Sequence, residues 1–212
     1  MSQEKLSLLN PFGPTVAKIT IPEKMILELN NYVDEIISDE KKSEKHDHGS
    51  HLVGNVKQEI YIDENFVKKI GWLEFLGKGS ATWIEAATKK KITKFNLIKT
   101  WVVRQFKNEY NPIHWHGGHI SGAGFLKVPS SFGKPFQENK RDFNGNLTLI
   151  NGTKSFMCNS KFEIKPKVGD FYIFPHYLMH TVYPFNESNE ERRSISFNAE
   201  IDNNIFNVFG RQ

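Results

Sequence analysis

The order of hydrophobic and polar positions changes character near residue 98. Before that point apolar residues recur at helical spacing. In "IPEKMILELNNYVDEIISD", Met25, Leu29, Tyr32, Val33, Ile36 and Ile37 share one face, and Pro22 stands near the first turn, where a missing N–H costs nothing. The charged stretch from Ser38 to Ser50 reads as a polar loop. "DENFVKKIGWLEFLG" then predicts a second helix over 64–76, capped by Asp63, with Phe66, Ile70, Leu73 and Leu76 on its apolar face and Gly77 closing it.

From Ile98 the pattern shortens to β-branched and aromatic runs punctuated by Gly, Asn and Pro. "IKTWVVRQF", "SGAGFLKV", "GNLTLING", "SKFEIKP", "GDFYIFP", "HTVYPF" and "RRSISFNAEI" predict at least seven strands, spaced as in a sandwich or barrel. Helices first and antiparallel strands second make the chain α+β. The expected architecture is a double-stranded β-helix (jelly-roll) core over 98–212, with a helical N-terminal region, 1–97, packed on it as part of one structural domain.

Composition narrows the chemistry. A chain of 212 residues with 38% hydrophobic content can bury a core without covalent staples. Its single cysteine, Cys158, rules out an intramolecular disulfide and a Cys-rich zinc module, so any metal must be held by His and carboxylate. That favours a reducing compartment. The start "MSQEKLSLLNPFGP" lacks a basic segment followed by a long apolar core, and no run approaches eighteen apolar residues; a soluble, cytoplasmic protein with no membrane partner is expected. The net charge of +4 arises in short runs such as "DEKKSEKH" and "TKKKITK", which read as solvated faces. Without a basic and stacking-aromatic motif, nucleic acid is not indicated.

The eight histidines fall in three knots: 46, 48 and 51; 114, 116 and 119; 176 and 180. Strand residues two apart face the same way, so "HWH" presents His114 and His116 to one ion. His119 falls off that face and reads as a supporting or surface residue. A third ligand must come from afar, and His180, opening "HTVYPF" after an aromatic strand, is the candidate; distant strands of a closed β-roll can converge at one end. His176 reads as a bystander. The knot at 46–51 reads as solvated, with a lid reaching the pocket as the alternative.

"HWHGGHISGAGFLKVP", "GDFYIFPHYLMHTVYPF" and "ERRSISFN", in that order and spacing, resemble the Fe(II)- and 2-oxoglutarate-dependent oxygenases. The likeness covers roughly residues 98–201 and is strongest to a prolyl-hydroxylase-like subgroup with an H-x-H motif, seen in phages and in some repeat-containing bacterial proteins. It implies Fe(II) held by His114, His116 and His180, with 2-oxoglutarate and O₂ as cosubstrates. The products are then succinate, CO₂ and a hydroxylated C–H bond. It implies host cytoplasm if the source is viral. The residues support it independently: Arg192, Ser194, Ser196 and Asn198 share one strand face, opposite Arg193, Ile195 and Phe197. An inward Arg and Ser two apart form a receptor for a carboxylate, the role the family gives to this pair. Tyr110 and Asn111, beside the metal strand, are further candidates for cosubstrate contact. Aromatic content around Trp101, Phe125, Phe171 and Tyr172 suits exclusion of water.

One departure from the wider superfamily is plain. Most members carry H-x-D, whereas His116 occupies the acidic position, leaving one more unit of positive charge on the metal site. Zinc is therefore a rival to iron. A His₃ zinc hydrolase or lyase leaves Arg192 and Ser194 unexplained. A cupin-type dioxygenase wants a Glu soon after H-x-H, and "HWHGGHISG" has none. A catalytically inactive virion-associated binding protein is the non-enzymatic alternative. A peptidyl side chain is the first expectation for substrate, so a protein or peptide partner is possible; the helices leave room for an oligomer.

Overall fold

The computed structural model describes residues 7–9, 13–47, 54–135 and 141–208. Its elements run in the order β1 (Ser7–Leu9), β2 (Val16–Thr20), α1 (Glu23–Ser38), α2 (Glu40–His46), β3 (Gln58–Tyr61), α3 (Glu64–Lys69), α4 (Trp72–Thr88) and β4 (Phe95–Gln105). There follow β5 (Asn111–His114), β6 (Ile120–Lys127), β7 (Leu147–Ile150), β8 (Lys161–Ile164), β9 (Asp170–Pro175), β10 (Met179–Val182), β11 (Arg192–Ile201) and α5 (Asn203–Phe206). All seven expected strands are present.

Two antiparallel sheets face each other. The larger has the order β1-β2-β9-β6-β11-β4-β3 and the smaller β5-β10-β7-β8. This is the jelly roll of an α+β chain, as expected.

The larger sheet is covered on both sides, and strand alternation divides its side chains between two cores. On the outer face Phe171, Ile173, Ile195, Phe197 and Ala199 meet Leu29, Val33, Trp72, Phe75, Leu76 and Trp83 of the helices. On the inner face Phe125, Tyr172 and Phe174 meet Leu147, Leu149, Leu178 and Val182 from the smaller sheet and its connections. Trp72 lies edge-on to Phe171 at 5.5 Å, and Phe171 stacks on Phe197 at 5.9 Å. Those rings lie across β6, where Gly122 and Gly124 leave them room: a Cβ on Gly124 would come within 2.3 Å of Phe171. Each buried aromatic ring removes roughly 150–250 Å² from water, which makes this layer a main source of stability.

Three local expectations are corrected. The stretch over 38–50 is not a loop throughout: Asp39 accepts from the Lys42 N–H at 3.1 Å and caps α2, a helix with no buried residue, while Lys42 pairs with Glu35 at 2.9 Å. The helix expected over 64–76 is two, broken at Gly71, whose φ of +77° suits a residue without Cβ. Gly77 does not close it. The second helix runs on to Thr88, because burying Trp72, Phe75, Leu76, Trp83 and Ile84 outweighs the roughly 1 kcal/mol cost of a mid-helix glycine. The region before residue 98 also supplies β1, β2 and β3, all strands of the larger sheet. None of the helices described is long and apolar enough to cross a membrane.

Candidate active site

The smaller sheet sets the first half of the site. β5 and β10 pair antiparallel with His114 directly opposite His180. His116 follows two residues beyond the end of β5, and its backbone N–H donates to the His176 carbonyl at 3.0 Å. One ring nitrogen each from His114, His116 and His180 lies within 4.8 Å of the other two, a spacing that three ligands around one ion can adopt. His180 is 4% exposed. Trp101 and Phe174 flank the cluster edge-on, at 5.4 Å from His116 and 5.3 Å from His180.

The tautomers follow from the partners. His114 Nδ1 is 2.7 Å from the Pro112 carbonyl and His180 Nδ1 is 2.9 Å from the Leu178 carbonyl. A carbonyl only accepts, so each Nδ1 carries the proton and each Nε2 presents a lone pair inward. His116 Nε2 lies 3.0 Å from His180 Nε2, a repulsive contact unless a proton or a cation lies between them. Burial and the neighbouring imidazoles hold His116 down to about 2 and His180 to about 3; burial lowers His114 as well. At neutral pH protons do not compete for these nitrogens. The donor set fits a divalent cation that accepts imidazole nitrogen.

β11 supplies the second half. Arg192, Ser194, Ser196 and Asn198 line the same cavity of ≈ 190 Å³ as the three histidines, with Trp101, Phe125, Leu147 and Val182 as apolar walls. Arg193 points the other way, pairing with Asp34 and Glu191 at 2.6 and 2.7 Å. The Arg192 guanidinium is 1% exposed, lies over the Phe125 ring at 5.1 Å and donates from Nη1 to Ser194 Oγ at 3.3 Å. Its Nε has no acceptor, and no ion pair among the described residues reaches it. Desolvation lowers its pKa to about 9. A buried guanidinium without a carboxylate partner fits an anionic ligand: it keeps donors aimed into a cavity whose acidic side chain, Glu59, makes no ion pair with it.

The structure thus brings together His114, His116, His180, Arg192, Ser194 and Asn111 around one cavity. It does not bring Tyr110 there: that side chain is 41% exposed and absent from the lining, and its backbone bridges to Asn55. His119 turns away, accepting from the Ile201 N–H at 3.0 Å and stacking on Phe206. His176 is not a mere bystander, since its Nδ1 donates to the His116 carbonyl at 3.0 Å and so fixes the turn that carries the His116 ring. Phe171 belongs to the outer core and does not wall the cavity, whereas Trp101 and Phe125 do. His46 is the last residue of α2, outside the lining, and His48 and His51 lie outside the described residues. The sequence reading missed Glu59, Lys99 and Gly54, which also line the cavity. Only the pairing of β3 with β4, far apart in the chain, places Glu59 there.

Comparison with known proteins decides between the chemistries open to such a site. Residues 99–198 match the family model described as "Putative 2OG-Fe(II) oxygenase". This core belongs to the 2OG-Fe(II) oxygenases. It is therefore the core of a 2-oxoglutarate-dependent dioxygenase, a family that uses Fe(II), 2-oxoglutarate and O₂.

Solved structures agree on the fold. A prolyl-4-hydroxylase of Pseudomonas putida superposes with a TM-score of 0.54 at 12% identity, over 93% of this chain and 94% of its own. The viral collagen prolyl hydroxylase of Paramecium Bursaria Chlorella virus-1, in complex with 2OG, gives 0.52 at 16% identity, over 87% and 94%. A Trichoplax adhaerens prolyl hydroxylase, in complex with a peptide fragment of the hypoxia inducible factor oxygen degradation domain, gives 0.50 at 14%, over 99% and 89%. No curated protein matches the chain.

Proposed function

We propose that His114, His116 and His180 hold Fe(II), that Arg192 and Ser194 take the distal carboxylate of 2-oxoglutarate, and that the protein hydroxylates a C–H bond of a peptidyl side chain. The observation that carries the reading is the juxtaposition, in one cavity, of three converging imidazoles and a buried guanidinium without a counter-ion. A His₃ zinc hydrolase leaves the guanidinium without a purpose.

When bound, Fe(II) with 2-oxoglutarate and O₂ supplies oxidative decarboxylation to succinate and CO₂ and transfer of oxygen to a C–H bond. The chain's own share is positioning. The Pro112 and Leu178 carbonyls lock two imidazoles in the tautomer that presents Nε2. His176, by holding the His116 carbonyl, keeps the third ring in place. Arg192 offers a planar fork and Ser194 a hydroxyl at the far end of a dicarboxylate, and Phe125 braces the fork from one side. Trp101, Leu147 and Val182 exclude water from the reacting end.

Support for a peptidyl substrate comes from the rim. Trp115, which lines the cavity, is 66% exposed, and Ile113 and Tyr177, its neighbours along β5 and beside β10, are also exposed. An exposed apolar ring at the cavity, with further exposed apolar residues on β5 and before β10, suits an extended chain laid beside it, and one neighbour of the same fold carries a peptide in its complex.

Anaerobic addition of Fe(II) and 2-oxoglutarate to the full chain tests the site. A weak visible metal-to-ligand charge-transfer band is expected, lost in His180→Ala and weakened in Arg192→Ala. Absence of the band, together with no O₂-dependent succinate, would overturn the assignment. A peptide array read by substrate-stimulated succinate release tests the substrate class.

A further inference from the structure

Across the cavity from Arg192 lies a second polar cluster, in which Asn111, a candidate from the sequence for cosubstrate contact, meets Glu59. Glu59 on β3 pairs with Val103 of β4, and Val103 pairs with Ser194 of β11, so the three share one rung of the larger sheet. Two interstrand steps of about 4.8 Å put the Glu59 backbone about 10 Å from that of Ser194. Glu59 is 2% exposed, and its Oε2 has no hydrogen-bond partner among the described residues. Asn111 Oδ1, from the facing sheet, is likewise buried and unpartnered. The two side chains converge at Gly54: a Cβ there would lie 2.5 Å from Asn111 Oδ1 and 3.0 Å from Glu59 Oε1. All three residues line the cavity.

The charged neighbours do not satisfy the carboxylate. Asp47 accepts from the Glu59 backbone N–H and repels the side chain. Lys99 is held over the Tyr61 and Trp101 rings and donates to the Tyr61 hydroxyl at 3.4 Å, and no ion pair among the described residues joins it to Glu59. Burial, reinforced by Asp47 and only partly offset by Lys99, raises the Glu59 pKa to about 7. A buried acid and a carboxamide oxygen, both acceptors and both lacking donors, call for a ligand that brings N–H groups and positive charge together.

We propose that Glu59 and Asn111, over the floor left open by Gly54, form a subsite that binds an ammonium or guanidinium group of the substrate. The proposal rests on the oxygenase reading of the same cavity and sharpens it: the hydroxylated molecule carries a basic nitrogen, and its recognition falls to the edge strand β3 rather than to the metal and 2-oxoglutarate residues.

The test uses the full chain with n-butylammonium and n-butylguanidinium as probes and n-butanol as the neutral isostere, read by saturation-transfer NMR and calorimetry. 2-Oxoglutarate binding is measured on the same samples. At least one cation is expected to bind about tenfold or more tightly than butanol. Glu59→Gln should abolish that preference, and Gly54→Ala, which fills the space and leaves the charge, should weaken it. Both variants should keep wild-type 2-oxoglutarate affinity, which also shows that they fold. Butanol binding as well as either cation, or an undiminished preference in Glu59→Gln, would overturn the proposal. Failure of the wild type to bind 2-oxoglutarate would count against the oxygenase assignment instead, leaving the cation result to stand by itself.

Discussion

Replacing Arg192 with methionine separates a functional buried charge from a structural one. Desolvation lowers the guanidinium pKa to about 9, and keeping it charged in the folded state costs on the order of 5 kcal/mol. The Phe125 ring and the Ser194 hydroxyl return about 2–3 kcal/mol of this. Methionine has similar length and no charge, so the variant without cosubstrate should be more stable by about 1–3 kcal/mol, a rise in Tm of about 2–12 °C. The same change strips the cavity of its cation, and 2-oxoglutarate affinity should fall about a hundredfold. Thermal melts with and without 2-oxoglutarate, in the presence of Mn(II), read both effects: the ligand should raise the melting temperature of the wild type and leave the variant unmoved. A variant that melts lower and still binds 2-oxoglutarate like the wild type would refute the reasoning, because Arg192 would then be part of the core.

Further perturbations address the metal, the packing and the chain ends. His116→Asp introduces the carboxylate common in the superfamily, and tighter Fe(II) retention against a chelator is expected, whereas His114→Ala should lose Fe(II) by about tenfold or more; metal content after dialysis checks both. Gly124→Ala drives a methyl against Phe171 and the Asp170 carbonyl, and should cost about 1–3 kcal/mol in urea unfolding without changing metal affinity. Asp202 accepts from Thr93 and from the Lys94 N–H, which lowers its carboxyl from 3.8 to about 2. Because the folded-state pKa is the lower one, its contribution is present above about pH 4 and lost as pH falls toward 2. The difference in melting temperature between wild type and Asp202→Asn should therefore shrink over that interval.

Much of this site is legible along the chain because strand alternation acts locally. Residues two apart share a face, so His114 with His116, and Arg192 with Ser194, Ser196 and Asn198, are grouped by sequence alone, as is the exclusion of His119. The apolar side of β11 at Ile195 and Phe197 is fixed by the same rule. Helix ends are less legible: Gly77 carries a stop signal that local propensity obeys and tertiary burial overrides, whereas Gly71, in the middle of the expected helix, does break it. The short strands β2 and β3 carry too few residues for periodicity to register, and their strand character comes from antiparallel pairing with β9 and β4.

The amino-acid sequence by itself determined which side chains could face a metal and which pair could face a carboxylate, since both depend on a period of two within single strands. Only the tertiary structure decided that those faces meet. Closure of the roll sets His180 opposite His114, buries Arg192 without a counter-ion, sends Tyr110 to the surface and brings Glu59 and Asn111 from opposite sheets to one floor. Pairing between strands separated by tens of residues is chosen by the summed burial of two cores, a quantity that no local window of the chain contains.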